Sequence, residues 1–275
     1  MKLFLIKLFF KEVKKHMRIY GLFIKNCAMQ QMEYRANFLI HIVVECIYVA
    51  SKLLYVMIAY QAGSEISGLT AEQITLFIGT FMILTAVYTG LFMDNFYGIS
   101  NKVKKGELDM MMVKPVSLQF YTSMRGVNLA LPVPNLLVGG AMVCTSWSRM
   151  GIRVSAGNIL LYIALLVCGI VLTYSIFLFP QLLAFWTVQT GAIVEMTDKL
   201  WDFNNMPMKI YGRWIQRIGT FVIPVFCITN FPVMSVLGSL SPVQKIWAAA
   251  APAAFAVLVR IAWKGSVRHY SSAGG

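Results

Sequence analysis

Residues 158–194 read NILLYIALLVCGIVLTYSIFLFPQLLAFWTVQTGAIV, 37 positions without one charged side chain. A hydrocarbon core about 30 Å thick is crossed by roughly 20 helical residues at a rise of 1.5 Å each. The run is too long for one upright helix, so it holds either a strongly tilted helix or two spans. Either solution places the segment in a bilayer, and that decides the fold class: an all-α integral membrane protein. The rest of the chain agrees. It is 58% hydrophobic and 13% charged over 275 residues, with a mean hydropathy of +0.68, well outside the averages of soluble domains.

On the N-terminal side of that stretch, apolar runs fall at Phe38 to Tyr60, Ile74 to Phe96 and Gly126 to Trp147, the last with Pro132 and Pro134 near its start. Proline is best tolerated there, or kinks the helix. The first two runs are joined by a short segment with Gly63, Glu65, Gly68 and Glu72 and no Lys or Arg, so they form a helical hairpin. On the C-terminal side a last span covers Val243 to Trp263. The pattern amounts to about six hydrophobic helices in a single transmembrane domain over 1–275.

Charge sets the orientation. The chain carries 24 Lys and Arg against 11 Asp and Glu, a formal charge of +13. In a soluble protein that balance would raise nucleic acid as a partner. Here the basic residues flank apolar runs and match orientation and contact with anionic lipid, so the partner read from them is the lipid membrane. Lys2, Lys7, Lys11, Lys14, Lys15, Arg18, Lys25 and Arg35 precede the first span, and Lys102, Lys104, Lys105, Lys114 and Arg125 lie between the second and third. Both segments are expected at the cytoplasmic face, with Lys264 and Arg268 placing the C-terminus there too. Arg149 and Arg153 run against the trend. Residues 1–36 return to charge at once after a short apolar run and lack a small-residue cleavage site, so they are expected to lie on the inner membrane surface as a basic interfacial helix.

The search for chemistry returns little. The dipeptide Gly-Lys is absent, and with it the phosphate loop. His16, His41 and His269 are too scattered for zinc spacing, and Cys27, Cys46, Cys144, Cys168 and Cys227 are singletons mostly inside apolar runs. No catalytic residue, metal site or bound cofactor is expected of this chain. Three ionisable residues are expected inside the first span: His41, Glu45 and Lys52 share one helical face by steps of four and seven. They should point into the bundle, where Glu45 either pairs with Lys52 or His41 or serves a substrate path. Asp94 reads as interfacial.

The loop 97–125 is long for a hairpin between neighbouring spans. Val103, Leu108, Met111, Met112 and Val113 alternate in it with Lys104, Lys105, Glu107 and Asp109. Gly106 can supply a turn, and Pro115 stops a helix. Such a segment either rests on lipid or offers apolar contacts to a protein groove.

Four places then resemble one family. Met32-Glu33-Tyr34-Arg35-Ala36-Asn37 leads into the first span. Gly106-Glu107-Leu108-Asp109 is followed by Val113-Lys114-Pro115. Pro207, Tyr211, Trp214, Ile223-Pro224 and Phe231-Pro232 punctuate the region before the last span, and Tyr270-Ser271-Ser272-Ala273-Gly274 lies next to the last residue, Gly275. In order and spacing these resemble the type 2 permease subunits of ATP-binding-cassette (ABC) exporters, in their six-span branch. The resemblance implies a half-transporter of the plasma membrane. A second permease subunit, identical or not, would pair with it, and a separate ABC ATPase would hold ATP and Mg. It also implies a role for Lys104, Lys105, Gly106, Glu107, Leu108, Asp109, Lys114 and Pro115 as an ATPase-docking loop. The family plan splits the uncharged run into spans at 158–182 and 183–203, with 204–240 re-entrant and external. The charge rule alone places Lys199, Lys209, Arg213 and Arg217 inside and makes 218–240 the fifth span. A proton-coupled secondary transporter using His41, Glu45 and Lys52, and a non-transporting accessory protein, are the alternatives from other classes.

Overall fold

The computed structural model describes residues 2–61, 68–152, 154–187 and 191–270, with side chains from residue 11 onward. Gly63, Glu65, Arg153, residues 188–190 and the Ser271-to-Gly274 ending, on which expectations rested, lie outside the described residues.

Among the described residues, the regular elements are all helices. Helix α1 (Lys2–Glu33) meets α2 (Arg35–Gln61) at Tyr34, and α3 (Ala71–Val87) begins behind a Thr70–Gln73 capping box. Such a box satisfies two orphan N–H groups at the helix start. A π turn, Tyr88–Met93, joins α3 to α4 (Asp94–Lys104), so 71–104 forms one long apolar rod. Two short helices follow, α5 (Glu107–Met112) and α6 (Leu118–Met124), then α7 (Pro132–Arg149) and α8 (Ala156–Gln181), which tightens into a 3-10 turn at Leu182–Phe185. The remainder is α9 (Gly191–Asp202), two 3-10 turns at Phe203–Asn205 and Met208–Ile210, α10 (Arg213–Phe221), α11 (Val225–Val236) and α12 (Pro242–Val267).

Among the described residues, four helices are long and apolar enough to cross a membrane: Arg35–Gln61, Ala71–Lys104, Ala156–Phe185 and Pro242–Val267. Counting α10 with α11, which meet at a bend of 97°, makes five. The chain is therefore a multi-pass helical membrane protein with four or five candidate spans, and two of the six expected spans take another form. The third, expected from Gly126, starts as helix only at Pro132. Its 18 residues include Asn135, Thr145, Ser146 and Arg149, and it is less apolar than the other four. The fifth, expected as helix over 183–203, is broken. A 3-10 turn ends α8 beyond Pro180, and α9 has 12 residues, about 18 Å, against a core of about 30 Å.

Two features bind the bundle. Gly79 of α3 and Gly139 of α7 face each other so closely that a Cβ on either would come within 2.8 Å of the other's carbonyl oxygen. Small residues are what allow helix backbones to approach in lipid. At Gly169 of α8, a Cβ would meet the Ile228 carbonyl of α11 at the same distance. Phe177, Phe226, Phe231, Phe96 and Leu84 pack the centre, and Trp201 stacks on Tyr88 with ring centroids 4.4 Å apart.

The ends of the bundle sort the loops. At one end α1 lies along α6: Phe120 meets His16, Tyr20 and Phe23. The end of α12 joins them, as Arg260 donates to Gln119 Oε1 at 2.6 Å. At the other end Lys209 Nζ donates to the Gly68 carbonyl at 3.3 Å, and Leu237 and Ser239 line one cavity with Leu69 and Gln73.

Candidate functional site

The loop 97–125 folds as a compact hairpin of short helices. Gly106 takes φ 68° and ψ 14°, a left-handed conformation that costs little only without a Cβ, and it begins α5. Helix α5 is six residues long, so its sides are set by a single turn. Leu108 is 0% exposed and Met111 lies beside it in the main core. Met110 (70% exposed), Met112 and Val113 (75%) face outward. Of the apolar residues expected to offer outward contacts, Leu108 and Met111 are instead turned inward, because α4 and α6 pack against this short helix. Lys104, Lys105, Glu107, Lys114 and Pro115 are exposed around the outward methionines. Tyr270, just past α12, faces Asp109. Burial first, and then that carboxylate, push its hydroxyl pKa up from the ordinary tyrosine value. The end of α12 with Tyr270, α5, α6 and the basic helix α1 thus share one end of the molecule.

The intramembrane residues do not pair as expected. Glu45 is 8% exposed and on the bundle side of α2, but its carboxylate accepts a short hydrogen bond from Asn135 Nδ2 of α7. Lys52 donates to Asn205 Oδ1 at 2.8 Å, and its ammonium lies 5.0 Å from the Tyr48 ring centroid and 5.1 Å from that of Phe81. Asn205 in turn donates to Asp202 at 3.2 Å. Each charge is therefore held by an amide from a distant element, which is one way an ionisable group is kept in a low-dielectric interior. His41 does neither, and lines a cavity at the start of α2.

Sequence reasoning missed the amides. Asn135 closes Glu45, Asn205 closes Lys52, Asn230 Oδ1 accepts from the Met208 N–H at 2.9 Å, and Asn204 is fully buried. Uncharged Asn inside apolar runs was the available signal. Two more side chains, Asn95 and Gln31, satisfy the non-helical backbone before α7. Asn95 Nδ2 donates to the Gly126 carbonyl at 2.7 Å while its Oδ1 accepts from Gly126 N–H at 2.8 Å. Gln31 Nε2 donates to the Val127 carbonyl at 2.6 Å, and its Oε1 accepts from Leu129 N–H at 3.0 Å. Irregular backbone at membrane depth survives only when its polar groups are met in this way.

Among the described residues, no group of three or more His, Cys, Asp or Glu could hold a metal ion. A multi-pass helical bundle with buried polar amides and one end dense in basic loops belongs to the class of membrane components. The profile of a family described as ABC-2 family transporter protein matches residues 46–274, most of the chain, and the chain belongs to that family. No curated protein and no solved structure gives a match.

Proposed function

We propose that the chain is the membrane-spanning permease subunit of an ATP-driven exporter in the plasma membrane, forming the translocation path while a separate ABC ATPase chain holds ATP and Mg and hydrolyses the nucleotide. The ATPase docks on 97–125, and a second permease subunit completes the path. The observation that carries this reading is α5: a six-residue helix pinned by buried Leu108, presenting Met110, Met112 and Val113 to the outside amid Lys104, Lys105, Glu107 and Lys114. Exposed methionines adapt to a partner's groove, and apolar contacts within a charged rim are the usual anatomy of an interface.

The same reading makes the basic end cytoplasmic, with both termini there. Helix α7 then serves as the third span, shielded along one side by α3, and 191–210 as an irregular fifth. Residues 211–240 enter and leave at the outer end. Both flanks of that segment, Lys209 and Ser239, sit with the α2–α3 loop, and nearly all of α11 is buried. The test is co-purification with a co-expressed ABC ATPase. Wild type is expected to hold the ATPase stoichiometrically, and a Met110→Lys, Val113→Lys double variant to lose it while still inserting. Retained association and normal stimulated hydrolysis in that variant would remove the docking assignment.

A further inference from the structure

Between the α1–α2 junction, the start of α4 and the backbone before α7 lies an open cavity of ≈ 360 Å³. Tyr34, Phe38 and His41 line one wall. Their spacings of four and three residues put them on one helical face, and the Phe38 N–H donates to the Tyr34 carbonyl at 3.1 Å, carrying the turn through the junction. Asp94 faces them from the other wall as the one carboxylate of the lining. It is the first residue of α4 after the π turn, and a π turn inserts a residue and re-aims the face beyond it. The floor is Gly126, Val127 and Asn128, fixed by Asn95, Gln31 and the Asn128 N–H bond to Gly90 at 2.8 Å.

Among the described residues, the polar atoms of the Tyr34, Asn37, His41 and Asp94 side chains make no hydrogen bond or ion pair. The nearest cations in sequence are turned elsewhere. Arg35 Nε donates to the Met32 carbonyl at 3.3 Å, and Arg125 lies 5.3 Å from the Tyr121 ring centroid. At an end of the molecule dominated by Lys and Arg, this cavity offers aromatic rings, an imidazole and one uncompensated carboxylate. Aromatic faces beside a carboxylate are the chemistry that holds an organic ammonium ion, by cation–π attraction and direct charge.

We propose that this cavity binds the ammonium head of an amine-bearing amphiphile, with Asp94 as counter-charge and Tyr34, Phe38 and His41 as the aromatic wall, the tail lying along the exposed apolar face of α2. Leu39 and Ile40 begin that face next to the cavity. The site gives a substrate class to the permease reading and rests on it for its purpose, but binding is measurable on the permease alone.

The test is photolabelling of the purified chain in phosphatidylglycerol nanodiscs with a diazirine-bearing dodecyltrimethylammonium, against a neutral dodecyl probe of equal length. The expected result is adducts on residues 34–41 and 126–128 with the cationic probe alone, reduced about tenfold by Asp94→Asn, a loss equivalent to about 1.4 kcal/mol, and largely kept by Asp94→Glu. Adding phosphatidylethanolamine separates the sources. Competition identifies a lipid headgroup as the natural ammonium, and persistence identifies a free amphiphile. Equal labelling by the neutral probe, or labelling indifferent to Asp94→Asn, overturns the proposal. Since no ATPase is present, either result leaves the docking test above standing by itself.

Discussion

Glu45 and Asn135 show what a single buried contact does here. Removing the amide by Asn135→Ala leaves a carboxylate in the bundle without its donor, at a cost of about 1–3 kcal/mol. A lowered midpoint of thermal unfolding in detergent, relative to wild type, checks it. An unchanged midpoint would mean that Glu45 finds water or another donor. The pair also shows why the sequence was only half readable. Steps of four and seven put His41, Glu45 and Lys52 on one face of α2, and Glu45 does turn inward. Its partner comes from 90 residues away, and no periodicity along α2 points to Asn135. Leu108 carries the same lesson. In a helix of six residues, the pattern of apolar and charged positions does not say which apolar residues face in. Leu108→Ala is accordingly expected to destabilise by about 2–5 kcal/mol, while Val113→Ala, with an exposed side chain, stays within about 0.5 kcal/mol. Comparable losses from both would place Val113 in the core as well.

At the level of helices, the long apolar spans were legible because length and composition suffice for them. The short and bent ones were not, because their stability comes from neighbours. Helix α7 is held by the Gly79–Gly139 approach, and a branched side chain at Gly139 would push into the α3 backbone. Gly139→Val should lower the yield of monodisperse protein and cost about 1–3 kcal/mol as an overpacked contact. Size-exclusion profiles and melting read it, with Gly140→Val, which meets open space, as the control. Similar behaviour of the two variants would rule out close α3–α7 packing as the constraint. The segment around α10 and α11 is the sharper case, since the charge rule and the family plan disagreed on it. In the structure Lys209 reaches the α2–α3 loop at the end opposite the basic helix α1. A cysteine at position 209 should therefore react with a membrane-impermeant maleimide on intact cells. Protection until the membrane is permeabilised would put 204–217 at the cytoplasmic face.

For the molecule as a whole, basic helix α1, the α5–α6 hairpin and the end of α12 form one continuous surface. Their assembly from three separate parts of the chain was foreshadowed by charge alone. Nothing in local sequence states that Arg260 would meet Gln119, because that contact depends on how the whole bundle closes. In the proposed reading the transport path is shared between two such bundles, so native mass of the active complex is expected to show two permease subunits per ATPase pair. One subunit per pair would contradict the shared path. The most direct measurement is site-specific photocrosslinking from the proposed docking surface, with benzoylphenylalanine placed at Val113, the residue after α5, and, as a control, at Ile246, which is also exposed but near the opposite end of α12. Irradiation of the complex should join the ATPase to the permease from position 113 and not from 246. A complex that purifies intact yet gives no ATPase adduct from position 113 would show that the partner engages this chain somewhere other than α5.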